Sequence, residues 1–111
     1  MIESDRVTLT KGTTEAIDTP SESGSGQKFH RCPECRVALW SHYGGAGEAL
    51  AFIRVGSLDN PDLVPPDIHI FTRSKQPWVQ LAPGIPAVEA YYDREEYWPE
   101  ESLARRRDCL D

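Results

Sequence analysis

Short runs of alternating apolar and polar residues, cut by Gly and Pro, cover most of the chain. Arg6 to Lys11 (RVTLTK) alternates branched apolar with polar residues, the period of a half-buried strand. Gly12 breaks it, and Thr13 to Asp18 resumes a weaker alternation. Thr19 to Gly26 (TPSESGSG) has no apolar residue to anchor it and reads as a loop. Gln27 to Arg31 then predicts the returning strand of a hairpin. Val37-Ala38-Leu39-Trp40 is short and apolar, and Gly44-Gly45-Ala46-Gly47 stops it. Leu50 to Val55 (LAFIRV) is the most strand-like segment, turned by Gly56 and then by Asp59-Asn60-Pro61. Ile68 to Phe71 predicts a further strand after the stiff Pro65-Pro66. The stretch through Lys75-Gln76-Pro77-Trp78, Pro83, Gly84 and Pro86 predicts an irregular chain with buried aromatics.

The end of the chain follows a different pattern. Pro99 in the first turn, Glu100 and Glu101 beside it, and Arg105 to Arg107 at the far end predict a helix whose charges oppose its dipole. Leu103 is its inward residue. The expected architecture is mainly β with one short C-terminal helix, divided into a domain over 1–98 and a helical tail over 99–111.

Charge narrows the partners. The chain of 111 residues carries a net charge of −6, which argues against a nucleic-acid backbone or an anionic membrane surface. No apolar run approaches the roughly 20 residues of a membrane span, and the first residues lack the basic and apolar regions of a signal peptide. An odd count of three cysteines suits reduced thiols, and with them a cytoplasmic location, better than a disulfide framework.

Candidate chemistry centres on Cys32-Pro33-Glu34-Cys35. Two cysteines at this spacing form a turn whose sulfurs both reach one metal ion, and a closed structural zinc site usually takes four such ligands. Cys32 and Cys35 are therefore the metal-ligand candidates, as half of a site. A redox pair is the alternative, but it needs its first thiol at a helix N-terminus, and Val37 to Trp40 does not make an amphipathic helix. His30, His42, His69 and Cys109 are single residues without the paired spacing of zinc ligands. The sequence holds no nucleophile elbow, phosphate loop or dinucleotide fingerprint, and offers no catalytic residue. Trp40, Trp78 and Trp98 read as core aromatics of a small β domain.

The ordered series CPEC…LW, RVGSLDNP, PPDIHIFTRSKQPW and GIPAVEAYY resembles the glutathione-dependent formaldehyde-activating enzyme family, which includes the centromere-protein-V-like domains. The resemblance runs from about Arg6 to Trp98. It implies a β-tent fold, shared with methionine-R-sulfoxide reductase-type domains and incomplete here at the N-terminus. In the family, a CxC pair and a later CxxC complete a structural zinc site, and a CHCxxC motif holds a second, catalytic zinc. Cys32 and Cys35 match the later CxxC; nothing in this chain matches the CxC or the CHCxxC, which the resemblance places before Met1. The family often has Phe before the first knuckle cysteine and Gly after the second, where this chain has Arg31 and Arg36. Gly there serves a left-handed backbone angle, which Arg36 has to adopt or avoid.

The resemblance implies a zinc-binding domain related to carbon–sulfur lyases acting on glutathione–formaldehyde adducts, with glutathione as co-substrate. It also implies weak or no activity for this chain by itself. The alternative is a non-catalytic, zinc-supported interaction domain, a homodimer pooling two knuckles into one four-cysteine zinc site.

Overall fold

The computed structural model describes residues 1–110. Asp111, the last residue of the expected tail, lies outside the described residues. Five strands form one antiparallel sheet: β1 (Ile2–Glu3), β2 (Glu15–Thr19), β3 (Gln27–Arg31), β4 (Ala38–Tyr43) and β5 (Leu50–Ile53), in the spatial order β1-β5-β4-β3-β2. A single helical turn, α1 (Arg94–Tyr97), precedes the C-terminal helix α2 (Glu100–Leu110). The fold is mainly β with a short C-terminal helix, and the expectation of that class is borne out.

The register explains why these segments pair. Ile17 lies opposite Phe29, Phe29 opposite Ser41, and Ser41 opposite Phe52, so one sheet face gathers Ile17, Phe29 and Phe52 around Ser41, while Trp40 and Ile53 pair on the other. Ser41 at its centre is fully buried. Its hydroxyl accepts a hydrogen bond from Arg54 Nη2 at 3.2 Å, which meets the requirement that a buried polar group be paired. The Arg54 guanidinium also covers the Phe29 ring at 4.9 Å. The β2–β3 hairpin spans the expected segments, and its loop folds back onto the β4–β5 connection. Gly44 N–H donates to the Gly26 carbonyl at 3.0 Å, and a Cβ at Gly44 would overlap the Ser25 carbonyl.

The tail behaves as its charges predict. The Pro99 carbonyl accepts the first helical hydrogen bonds, from Ser102 and Leu103. Leu103 is buried, one of three buried apolar side chains among the described residues, with Leu50 and Ala51. Arg105 Nε donates to Glu3 Oε1 at 2.9 Å, and the Cys109 thiol to the Ala49 carbonyl at 3.4 Å, fastening α2 over β1 and the start of β5.

Three expectations need correction. Arg6 to Lys11 is not a strand: it leaves a short 3-10 turn (Ser4–Arg6) and runs unpaired to Lys11, with Leu9 exposed. Its alternation is that of a strand, but no neighbouring strand offers it a ladder. Ile68 to Phe71 forms only a single bridge, His69 to Ala87, because Phe71 turns into the left-handed region at φ 53° and ends the extended run. Trp78 is 78% exposed, so the aromatics of this irregular stretch are not all buried.

No residue from 52 to 102 is buried. The accessible surface is 8169 Å², against about 6,200 Å² for a compact monomer of this mass. The excess is more than the roughly 800 Å² that each partner buries in a standard protein–protein interface.

Candidate metal centre

The cysteine pair forms the turn of the β3–β4 hairpin. Cys32 N–H donates to the Val37 carbonyl at 3.0 Å, and Arg36 N–H to the Cys32 carbonyl at 2.9 Å, closing the loop around Pro33 and Glu34. Arg36 sits at φ 66°, the left-handed angle that favours Gly. The knuckle thus keeps the backbone that the resemblance implies despite the larger side chain. Cys35 is exposed and Cys32 half-buried, and neither forms a disulfide.

The turn also acts on the thiols electrostatically. Backbone N–H groups of Cys35 and then Glu34, followed by the Cys35 thiol, hold the Cys32 thiol below its ordinary value. This favours the thiolate, the form that ligates metal. The turn leads into β4, so no helix dipole contributes. A helix-activated redox pair has no counterpart here.

Arg31 and Arg36, the two departures from the family pattern, share one partner. Arg31 Nε donates to Glu15 Oε2 at 3.0 Å and Arg36 Nη1 to the same oxygen at 3.1 Å. The Arg31 hydrogen bond above all holds the Glu15 carboxyl below its ordinary range; burial opposes it, and the charges of both arginines assist. Motif and spacing do not reveal this clamp. The hairpin register does, because antiparallel pairing across the loop places Glu15 opposite Arg31.

The histidines have other partners. His30 stacks on Trp40 with ring centroids 4.9 Å apart and meets His42 edge-on at 5.2 Å. His30 Nδ1 lies 3.2 Å from Thr14 Oγ1. His42 Nδ1 lies 2.8 Å from the Leu50 carbonyl; a carbonyl only accepts, so that nitrogen carries the proton. Burial first, then the charges of His42 and Lys28, hold His30 below its ordinary value. His69 bridges to Ala87 through its backbone, and its Nε2 is buried without a partner. Cys109 is half-buried against Ala49.

Among the described residues, no group of three or more His, Cys, Asp or Glu side chains converges as a metal site. The donor chemistry of the turn, two adjacent thiols with N–H groups directed at one of them, fits half of a closed zinc site. No helix of the described residues is long and apolar enough to cross a membrane.

No curated protein and no solved structure matches the chain. The family described as glutathione-dependent formaldehyde-activating enzyme matches residues 1–74, which include all five strands and the cysteine turn. The chain belongs to the glutathione-dependent formaldehyde-activating enzyme family.

Proposed function

We propose that this chain is a zinc-binding domain in which Cys32 and Cys35 supply two ligands of a structural site. It is related to carbon–sulfur lyases acting on glutathione–formaldehyde adducts and has weak or no such activity by itself. The observation that carries this reading is the turn around Cys32, whose N–H groups favour the thiolate. Zinc, when bound, supplies a cross-link that fixes the turn and the hairpin it closes. Arg31, Arg36 and Glu15 steady the base of that hairpin. Glutathione and its formaldehyde adduct are the small-molecule partners this reading implies, and the three free thiols suit the cytoplasm.

Elemental analysis of the purified protein tests the metal. Zinc is expected in the wild type and is expected to be lost in Cys32→Ser and Cys35→Ser; zinc retained in both variants overturns the assignment. Mixing the protein with glutathione and formaldehyde tests the activity. S-hydroxymethylglutathione should form no faster than it does spontaneously, and clear turnover would refute the inactive reading.

A second reading has its own support. Cys35 is exposed, and the surface exceeds that of a compact monomer. A non-catalytic interaction domain, dimerising so that two knuckles share one four-cysteine zinc site, accounts for both. Metal content measured together with size distinguishes the two readings. One zinc per two chains in a dimer supports sharing, and a metal-free monomer rules it out.

A further inference from the structure

A second site lies away from the cysteines, where α2 crosses β1 and the segment around Asp67. It is a cleft of about 510 Å³, within the roughly 300–1,000 Å³ typical of small-molecule sites. Tyr92, Tyr97 and Trp98 form one wall. The Trp98 indole N–H donates to the Tyr92 hydroxyl at 2.8 Å, and Tyr97 meets Tyr92 edge-on at 6.1 Å, so the wall is a braced aromatic surface. Burial, and then neighbouring Tyr91, push Tyr92 up to about 12, leaving it a neutral phenol at ordinary pH.

The charges lining the cleft fall into two kinds. Arg105 is satisfied by Glu3. Arg106 is half-buried, yet among the described residues it has no ion pair and no hydrogen bond. A guanidinium partly withdrawn from water without a partner is destabilised, and a carboxylate is its natural complement. Asp67, contributed by a different segment, also lines the cleft; it is exposed to solvent and has no ion pair among the described residues. Arg106 and Asp67 are opposite charges on separate elements beside an aromatic wall, the complement of a dipolar molecule with an apolar body; the Met1 ammonium also lines the cleft and has no ion pair among the described residues. The Ser102 hydroxyl adds a further donor on the α2 side.

We propose that this cleft binds a zwitterionic amino acid or short peptide bearing an apolar side chain. Its carboxylate pairs with Arg106, its ammonium with Asp67, and its apolar part lies against Tyr97 and Trp98. The site needs neither the cysteine turn nor zinc, and so it stands apart from the metal reading.

The test titrates the full chain with L-phenylalanine and follows the Trp98 indole N–H by NMR. A saturable shift is expected. Phenylpropionate, which lacks the ammonium, and phenethylamine, which lacks the carboxylate, should each bind about tenfold more weakly, the scale of one charge-assisted hydrogen bond. Arg106→Gln should erase the advantage of phenylalanine over phenethylamine, and Asp67→Asn its advantage over phenylpropionate. No saturable shift, equal binding of the three ligands, or advantages that survive both substitutions would overturn the proposal. If Arg106→Gln disturbs α2, the three-ligand comparison and the Asp67→Asn variant still decide it.

Discussion

The left-handed residue of the cysteine turn offers a measurable strain. Arg36 holds φ 66° and an ion pair to Glu15 at 3.1 Å, with its side chain 59% exposed. For a residue with a Cβ, the left-handed conformation costs about 1–2 kcal/mol. The exposed ion pair returns about 0.5 kcal/mol, and Glu15 keeps Arg31 if Arg36 is removed. Arg36→Ala loses the pair and keeps the strain, so it should be slightly less stable than the wild type. Arg36→Gly loses the pair and also relieves the strain, offset by about 0.7 kcal/mol of added freedom in the unfolded chain. The ion pair cancels in the comparison of the two variants, leaving Gly more stable than Ala by about 1 kcal/mol, or about 4 °C in Tm. Urea unfolding followed by far-UV circular dichroism, with a chelator present to remove any contribution from metal, measures the difference. An Ala variant as stable as the Gly variant would refute the left-handed geometry at this residue.

Other perturbations probe the rest of the molecule. Leu103→Ala removes a buried side chain beneath α2 and should cost about 3 kcal/mol in urea unfolding, at the lower end of such truncations if α2 settles inward. Gly44→Ala drives a Cβ into the Ser25 carbonyl and should cost about 1–3 kcal/mol, whereas the same change at Gly45, which faces open space, should be nearly silent. His30 sits below its ordinary value in the folded chain, so the unfolded chain takes up its proton first on acidification. That part of the stability is complete above about pH 6.5 and is lost as the pH falls through the folded value. Unfolding midpoints should therefore decline over this window, and by less in His30→Gln.

The hairpin, β5 and α2 were legible because local signals and tertiary need agree in them. The loop from Pro20 to Gly26 has nothing to bury, the LAFI run lies in the sheet beside β4, and the charges of α2 match its dipole. Arg6 to Lys11 and Ile68 to Phe71 misled for a shared reason. Alternation records which side chains prefer burial, but a strand also needs a neighbour with free N–H and C=O groups along its length. The first segment has none, and the second keeps hydrogen bonds to 86–90 but leaves extended geometry where Phe71 turns left-handed. At the knuckle, the family's Gly left Arg36 either to adopt or to avoid a left-handed angle, and it adopts it. The sharing of Glu15 by both arginines required the hairpin register. Trp78 shows the limit of composition: a large aromatic suits a core only if the chain around it closes over it, and here it does not.

The long reach from β5 to α2, in which nothing from 52 to 102 is buried, makes the molecule unequal in its resistance to opening. Apart from the few backbone hydrogen bonds that tie 69–73 to 86–90, amides in that reach rest on turns, and they should exchange with solvent through local openings well below the global unfolding energy. A brief protease pulse should cut there first. The cut chain need not come apart, because α2 stays docked through Leu103, the Arg105–Glu3 pair and Cys109 against Ala49. Two fragments that separate only in denaturant would be the mark of a sheet and helix that hold each other without the chain between them.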